Sequence, residues 1–137
     1  MNVHWGEPLN RQSQADRDAV DRWIQFYFMW YAEPIFNSGD YPAVMRELID
    51  AKSSAQGFEE SRLPKFTTEE TQEISDSSDF IGINFYTTDL IENYVSDINE
   101  ISYFVDSDTR TSQDRSWYRS GYYWLFLVPA AANLAEK

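Results

Sequence analysis

The first clear pattern along the chain is helical. Apolar residues recur three and four positions apart, as on one face of an α-helix, and they are Val20, Trp23, Ile24, Tyr27, Trp30 and Tyr31. Ser13 can cap the N-terminus of this helix, with Asp16 at the capping-box position. Pro34 is expected to end or kink the helix. An aromatic stripe at this spacing can bind a ligand, but it is more often a packing face.

Two further helices are predicted beyond the turn N-S-G-D-Y-P at 37–42. Pro42 suits the first turn of a helix, and the apolar face of that helix comprises Val44, Met45, Leu48 and Ile49. Thr67 and Glu70 form a capping box for a short helix that ends near Ser75.

Residues 79–86, D-F-I-G-I-N-F-Y, predict a buried β-strand because they are rich in strand-forming residues. Side chains alternate along a strand, so one face would carry Ile81, Ile83 and Phe85 and the other Gly82, Asn84 and Tyr86. Apolar residues on both faces suit a parallel strand that is covered on both sides. Asn84 and Tyr86 either satisfy local hydrogen bonds or face a ligand, and spacing alone leaves both options open.

Beyond this strand the periodicity fades. A short strand is predicted at Ile101–Val105, and the rest of residues 89–120 is expected to be a long loop. The apolar run G-Y-Y-W-L-F-L-V-P follows, and residues 130–137 could form a frayed helix. One strand cannot form a stable sheet, so the pattern predicts a piece of a larger fold.

Composition narrows the chemistry. The formal net charge of −12 disfavours nucleic acid and anionic membrane surfaces as partners. The chain has no cysteine and a single histidine, His4, which disfavours thiolate and histidine-rich metal sites and a Ser-His-Asp triad. Aromatic residues make up 17% of the chain; this fits a sugar-gripping surface, although a large core is the more common reason. No stretch reaches 18 consecutive apolar residues, so no membrane insertion is expected.

Five motifs occur in order along the chain. They are W-G-E-P at 5–8, W-Y-A-E-P-I-F-N-S-G-D-Y-P at 30–42, R-L-P-K-F-T at 62–67, D-F-I-G-I-N-F-Y-T-T at 79–88 and D-R-S-W-Y-R-S-G-Y-Y-W-L-F-L-V-P at 114–129. Together they resemble glycoside hydrolase family 1, the group of β-glucosidases, lactases and myrosinases. The variants look closest to animal members, insects included, and the resemblance covers roughly residues 2–129.

This resemblance implies an α/β fold, a partial (β/α)₈ TIM barrel. The chain would run from the end of barrel strand 5 through strand 6 and into the long loop that follows. A complete barrel typically needs about 250 residues, so residues 1–129 are expected to be a barrel segment of a longer protein. The family usually continues W-G-x-R-K-L-L after Pro129, whereas residues 130–137 differ and are expected to be a divergent tail.

The resemblance also implies retaining hydrolysis of β-glycosides by two glutamates. Their motifs, N-E-P for the acid/base and T-E-N-G for the nucleophile, do not occur in this sequence. We therefore expect no catalytic residue in this chain and no activity from it alone. By resemblance, the Tyr86 hydroxyl would orient the nucleophile and Asn84 would join the same polar network. Trp5 and Trp117 either line the leaving-group side or simply pack.

The expected partner is a small-molecule β-glycoside, with no cofactor, no metal ion and no nucleic acid. Two other interpretations stay open: a non-catalytic, barrel-derived binding or signalling protein, and a truncated gene product without a stable fold. The resemblance slightly favours an extracellular over a cytoplasmic location. It leaves the sugar, the aglycone and the oligomeric state undetermined.

Overall fold

The computed structural model describes residues 2–75 and 77–128 of the 137-residue chain. The helices are α1 (Gln14–Ile24), α2 (Trp30–Phe36), α3 (Ala43–Ala55), α4 (Thr68–Ile74) and α5 (Tyr103–Asp106), and a π-helical turn (Gln25–Met29) joins α1 to α2. The strands are β1 (Asn2–Pro8), β2 (Asn84–Asn93), β3 (Thr109–Ser112), β4 (Tyr118–Arg119) and β5 (Phe126–Leu127).

Within these residues, β1, β2 and β3 form one mixed sheet in that order. β1 runs parallel to β2, from the pair Asn2 and Asn84 to the pair Pro8 and Ile91, with a register shift between Val3 and Trp5. β3 adds antiparallel to β2, and β4 pairs antiparallel with β5. The helices α1 to α4 separate β1 from its parallel neighbour in the chain. This is the strand–helix–strand arrangement from which barrels are built.

The predicted first helix is confirmed, with one change in its middle. Ser13 caps α1 by accepting a hydrogen bond from the Asp16 backbone N–H at 3.2 Å. The helix then widens into the π-helical turn and continues as α2 past Pro34 to Phe36. The predicted stripe is mostly a packing face, because its residues pack around Trp23 and Phe26. Tyr31 is the exception and is 51% exposed.

The two later helices also follow the prediction. Pro42 lies just before α3 as its N-cap, and the predicted face buries Met45 and Ile49 in a cluster with Phe26 and Leu63. At α4 the capping box is present: the Thr67 N–H donates to Glu70 at 2.8 Å, and the Glu70 N–H donates to Thr67 at 3.2 Å.

The sequence analysis places the strand at 79–86, which is too early in the chain. Residues 80–83 are not in a strand, and β2 instead begins at Asn84 and extends to Asn93. The reason is pairing, since the ladder with β1 starts at Asn84 and the ladder with β3 lies later still. Ile83 and Phe85, expected on a buried face, are 53% and 48% exposed.

The predictions for the following loop are partly wrong. Ile101–Val105 is not a strand, because Ser102 caps the short helix α5 by accepting from the Phe104 N–H at 3.3 Å. The end of β2, β3 and β4 all lie in the stretch predicted as loop. Of these, β3 extends the sheet beside β2, and β4 pairs with β5 in a second, two-stranded sheet. The predicted tail at 130–137 lies outside the described residues.

Buried and partly buried charges anchor this region to the helices. Arg62 holds Asp106, which is 3% exposed, through two hydrogen bonds of 3.0 and 2.7 Å. Lys52 from α3 binds Asp108 at 2.7 Å, and Arg22 from α1 donates to the Ser107 carbonyl at 2.6 Å. Three helix-side cations therefore fix the 105–108 turn, which supports α5 and the start of β3.

Candidate functional site

The two polar residues predicted to face a sugar lie at the start of β2. Asn84 is exposed, and its side-chain amide donates to the Asn2 side chain of the neighbouring strand at 3.3 Å. Tyr86 follows two residues later and is 41% exposed. Both side chains therefore remain accessible on β2, beside the parallel strand β1.

Trp5 is the first of the two tryptophans that the sequence left open. It is 38% exposed, and its indole N–H donates to Glu7 on the same strand at 3.0 Å. In the sheet register it pairs with Thr88 of β2, four positions along from Asn84. It thus lies on the strand next to the predicted site, with its indole hydrogen bond made within β1.

Trp117, the second open tryptophan, follows a polar turn. The Ser116 N–H donates to the Asp114 carboxylate at 2.8 Å, and the Trp117 N–H donates to the Asp114 carbonyl at 3.1 Å. The hydrogen bonds from the Ser116 backbone and hydroxyl lower the pKa of Asp114. The Trp117 ring then packs edge-on against Phe126, with centroids 6.5 Å apart. This contact supports the packing interpretation for Trp117.

Trp124 was missed by the sequence analysis. Its ring meets Tyr86 edge-on, with centroids 6.0 Å apart and planes at 81°. It is 37% exposed, similar to Tyr86 itself. The apolar run G-Y-Y-W-L-F-L-V-P was visible in the sequence, but no local signal shows that it folds back onto residue 86.

A second polar group lies between the sheet and the helices. His4 Nδ1 and Asp89 Oδ2 are 2.7 Å apart and link β1 to β2. The His4 ring also lies 5.7 Å from that of Tyr27. Burial, followed by the nearby Asp89 charge, raises the pKa of Tyr27. These residues border a cavity of about 380 Å³ whose walls include Trp23, Tyr103 and Thr109.

Two negative findings apply to residues 2–75 and 77–128. No group of three or more His, Cys, Asp or Glu side chains is arranged to hold a metal ion there. In the same ranges, no helix combines the length and the apolar character needed to cross a bilayer.

Comparison with known proteins identifies relatives over almost the whole chain. The sequence model of "Glycosyl hydrolase family 1" matches residues 1–135. Human lactase/phlorizin hydrolase is 42% identical over 131 residues, which are 94% of this chain and 7% of that protein.

Two solved structures show the same arrangement. An aphid myrosinase superposes with a TM-score of 0.82 at 27% identity, over 98% of this chain and 29% of its own. A rice β-glucosidase mutant, solved in a covalent complex with Glc, superposes with a TM-score of 0.80 at 30% identity, over 98% of this chain and 27% of its own. The chain thus spans less than a third of each of these relatives.

Proposed function

Because the chain belongs to glycosyl hydrolase family 1 and forms part of that family's (β/α)₈ barrel, we propose that it contributes sugar-contacting residues to a retaining β-glycosidase. The observation that carries the proposal is the placement of Asn84 and Tyr86. They are exposed at the amino end of β2, directly after residues 79–83, and the Asn84 side chain bonds Asn2 of the neighbouring parallel strand. In such barrels, the residues at the carboxyl ends of the strands form the active site. The proposal therefore requires that residues 79–86 form the barrel strand in the longer protein, with Asn84 and Tyr86 near its carboxyl end.

The reaction proceeds through a covalent glycosyl-enzyme. One glutamate attacks the anomeric carbon, and a second, about 5–5.5 Å away, protonates the leaving oxygen and later activates water. The covalent complex with Glc solved for the rice relative supports such an intermediate for this family member. Both glutamates of this protein would lie outside the 137 residues, in a longer chain.

Tyr86 has a supporting role in this reaction. Its hydroxyl donates a hydrogen bond to the nucleophilic carboxylate, which orients that group and favours its charged form. Asn84 belongs to the same network and contacts a hydroxyl of the sugar. Neither side chain forms or breaks a bond, so their effect is on positioning and charge. The leaving-group side of the site adjoins β1, where the exposed indole of Trp5 lies.

The first test concerns the chain alone and its flanking sequence. The purified 137-residue chain should not hydrolyse a nitrophenyl β-glucoside, since both glutamates are absent, and measurable turnover would contradict the proposal. Sequencing the transcript on both sides should reveal N-E-P upstream and T-E-N-G downstream. A longer protein without these motifs would favour a non-catalytic, barrel-derived binding protein instead.

The second test uses the longer protein. Tyr86→Phe should lower kcat about 10- to 100-fold with a smaller change in KM, because a hydrogen bond to a charged group is worth about 1.5–3 kcal/mol. Tyr31→Phe makes the same chemical change at a half-exposed ring on α2 and should leave kcat unchanged. Equal rates for the wild-type protein and Tyr86→Phe would remove Tyr86 from the site.

A further inference from the structure

Thr87, the residue after Tyr86, is held unlike its neighbours on β2. It is 1% exposed, and its hydroxyl makes two hydrogen bonds to the backbone of one residue, Phe126. The hydroxyl donates to the Phe126 carbonyl at 3.0 Å and accepts from the Phe126 N–H at 3.2 Å. One side chain thus reproduces the two-bond exchange of an antiparallel pair. It joins β5 to β2 at a point where both are buried.

The segment fixed in this way carries Trp124. The Phe126 backbone is two residues from the indole that meets Tyr86 edge-on, and Gln113 donates to the Trp124 carbonyl at 3.1 Å. Burial alone does not orient Tyr86, since its side chain is 41% exposed. The Trp124 edge therefore restricts the Tyr86 ring, and the direction of the hydroxyl depends on where the 124–126 segment lies.

We propose that Thr87 is a positioning residue for the glycosidase reaction: its hydroxyl holds Phe126, which keeps Trp124 against Tyr86 and so aims the Tyr86 hydroxyl. This inference rests on the proposed function. Thr87 is buried and touches no reacting atom in this scheme. Its influence on the reaction passes through the two aromatic rings.

The test is a set of variants in the longer protein. Thr87→Val keeps the shape of the side chain but removes both hydrogen bonds, which leaves the Phe126 N–H and carbonyl without their buried partner. We expect kcat to fall about tenfold, which is less than for Tyr86→Phe. In Thr87→Val the Tyr86 ring is displaced but keeps its hydroxyl. Thr87→Ser retains the hydroxyl and should restore most of the rate.

A pH profile separates positioning from a general structural effect. A Tyr86 hydrogen bond favours the charged nucleophile, so its loss raises the pKa of that carboxyl and moves the acidic limb of kcat/KM to higher pH. Thr87→Val should shift this limb in the same direction as Tyr86→Phe. A merely structural loss would lower kcat/KM at every pH and leave the limb in place.

The neighbouring threonine provides a matched control. Thr88 is also fully buried, but its hydroxyl has no hydrogen-bond partner among the described residues. Thr88→Val should therefore change neither kcat nor the acidic limb. A shift as large as that of Thr87→Val would mean that any change at this point of β2 disturbs the site, and the inference would fail.

The remaining outcomes distinguish this inference from the proposed function. If Tyr86→Phe is impaired but Thr87→Val behaves as wild type, the positioning role is wrong and the proposed function stands. If Tyr86→Phe is itself unchanged, the proposed role of Tyr86 is wrong. If Thr87→Val does not fold, Trp124→Leu decides, since it removes the ring and keeps the Thr87 hydrogen bonds. An unmoved limb in Trp124→Leu would break the proposed link.

Discussion

The later part of β2 and the stretch that leads into it have similar apolar residues but opposite surroundings. Ile91, in the later part, is fully buried against Ala19 and Trp23 of α1. Phe80 and Ile83, before the strand, are 79% and 53% exposed. The difference is whether a packing partner is present. Helix α1 belongs to this chain and covers the sheet at Ile91, whereas no such element covers Phe80 and Ile83 among the described residues. In a complete barrel, further strands and helices cover both faces of every strand.

The largest expected effect on stability comes from comparing an alanine substitution in the later part of β2 with one in the stretch before β2. In the 137-residue chain, Ile91→Ala should lower the free energy of unfolding by about 3 kcal/mol, because it removes packed methyl groups and leaves a cavity. Ile83→Ala should change it by less than about 0.5 kcal/mol, as is usual for exposed positions. Denaturant unfolding of both variants measures the contrast.

The same substitution before β2 should have a larger effect on stability in the longer protein. There we expect the cost of Ile83→Ala to rise to about 2 kcal/mol or more, because the further strands and helices of the barrel bury this side chain. A cost that stays near zero would show that the stretch before β2 remains exposed in the longer protein too. That result would contradict our explanation of the difference, which is that further barrel elements cover the stretch before β2.

Two glycines give a test of intermediate size. A Cβ at Gly6 would lie 3.0 Å from the Trp23 ring and 3.3 Å from Ile91, whereas a Cβ at Gly82 would meet nothing within 4 Å. Trp23 cannot easily retreat, because it stacks on Tyr27 at 4.7 Å. Gly6→Ala should therefore destabilise the chain by about 1–2 kcal/mol.

Gly82→Ala is the matched control for this crowding effect. It should be neutral or stabilising by about 0.5 kcal/mol, since alanine restricts the unfolded chain more than glycine does. Thermal melting should show a lower melting temperature for Gly6→Ala and an unchanged or higher one for Gly82→Ala. Equal losses would mean that the region around Gly82 is as closely packed as the α1 side.

The same comparison explains which parts of the fold the sequence could predict. Helix ends depend on residues three or four positions apart, so Ser13 and the Thr67–Glu70 capping box were predicted and are present. The faces of α1 and α3 are set by spacing within one helix. The structure therefore confirms both faces where a partner lies within the segment.

Strand position and site assembly depend on pairing between distant residues. The start of β2 at Asn84 is set by Asn2, 82 positions away, and no local pattern encodes that register. The sequence singles out Asn84 and Tyr86 as candidates because alternation and motif mark them, and their role stays a prediction. It does not single out Trp124 and Thr87, because their contacts form only when the 124–126 segment folds onto β2.

The smallest predicted effect on stability concerns Tyr103, which packs against the cluster around Phe26. Its hydroxyl donates to the Phe26 carbonyl in the π-helical turn at 2.7 Å, and burial, with smaller contributions from Tyr31 and Tyr27, raises its pKa to about 12. Tyr103→Phe should lower the free energy of unfolding by about 1 kcal/mol at neutral pH. Tyr118→Phe, at a ring that is 74% exposed, should change it far less.

The pH dependence of this difference identifies its cause. A raised folded-state pKa stabilises the fold fully below the unfolded pKa of about 10 and loses that contribution as pH rises through the folded value of about 12. The stability gap between wild type and Tyr103→Phe should therefore be constant up to about pH 10 and shrink towards pH 12, as followed by denaturant unfolding. A gap that stays constant throughout would show that the Tyr103 hydroxyl is solvated, and that α5 covers the π-helical turn less tightly than its contacts indicate.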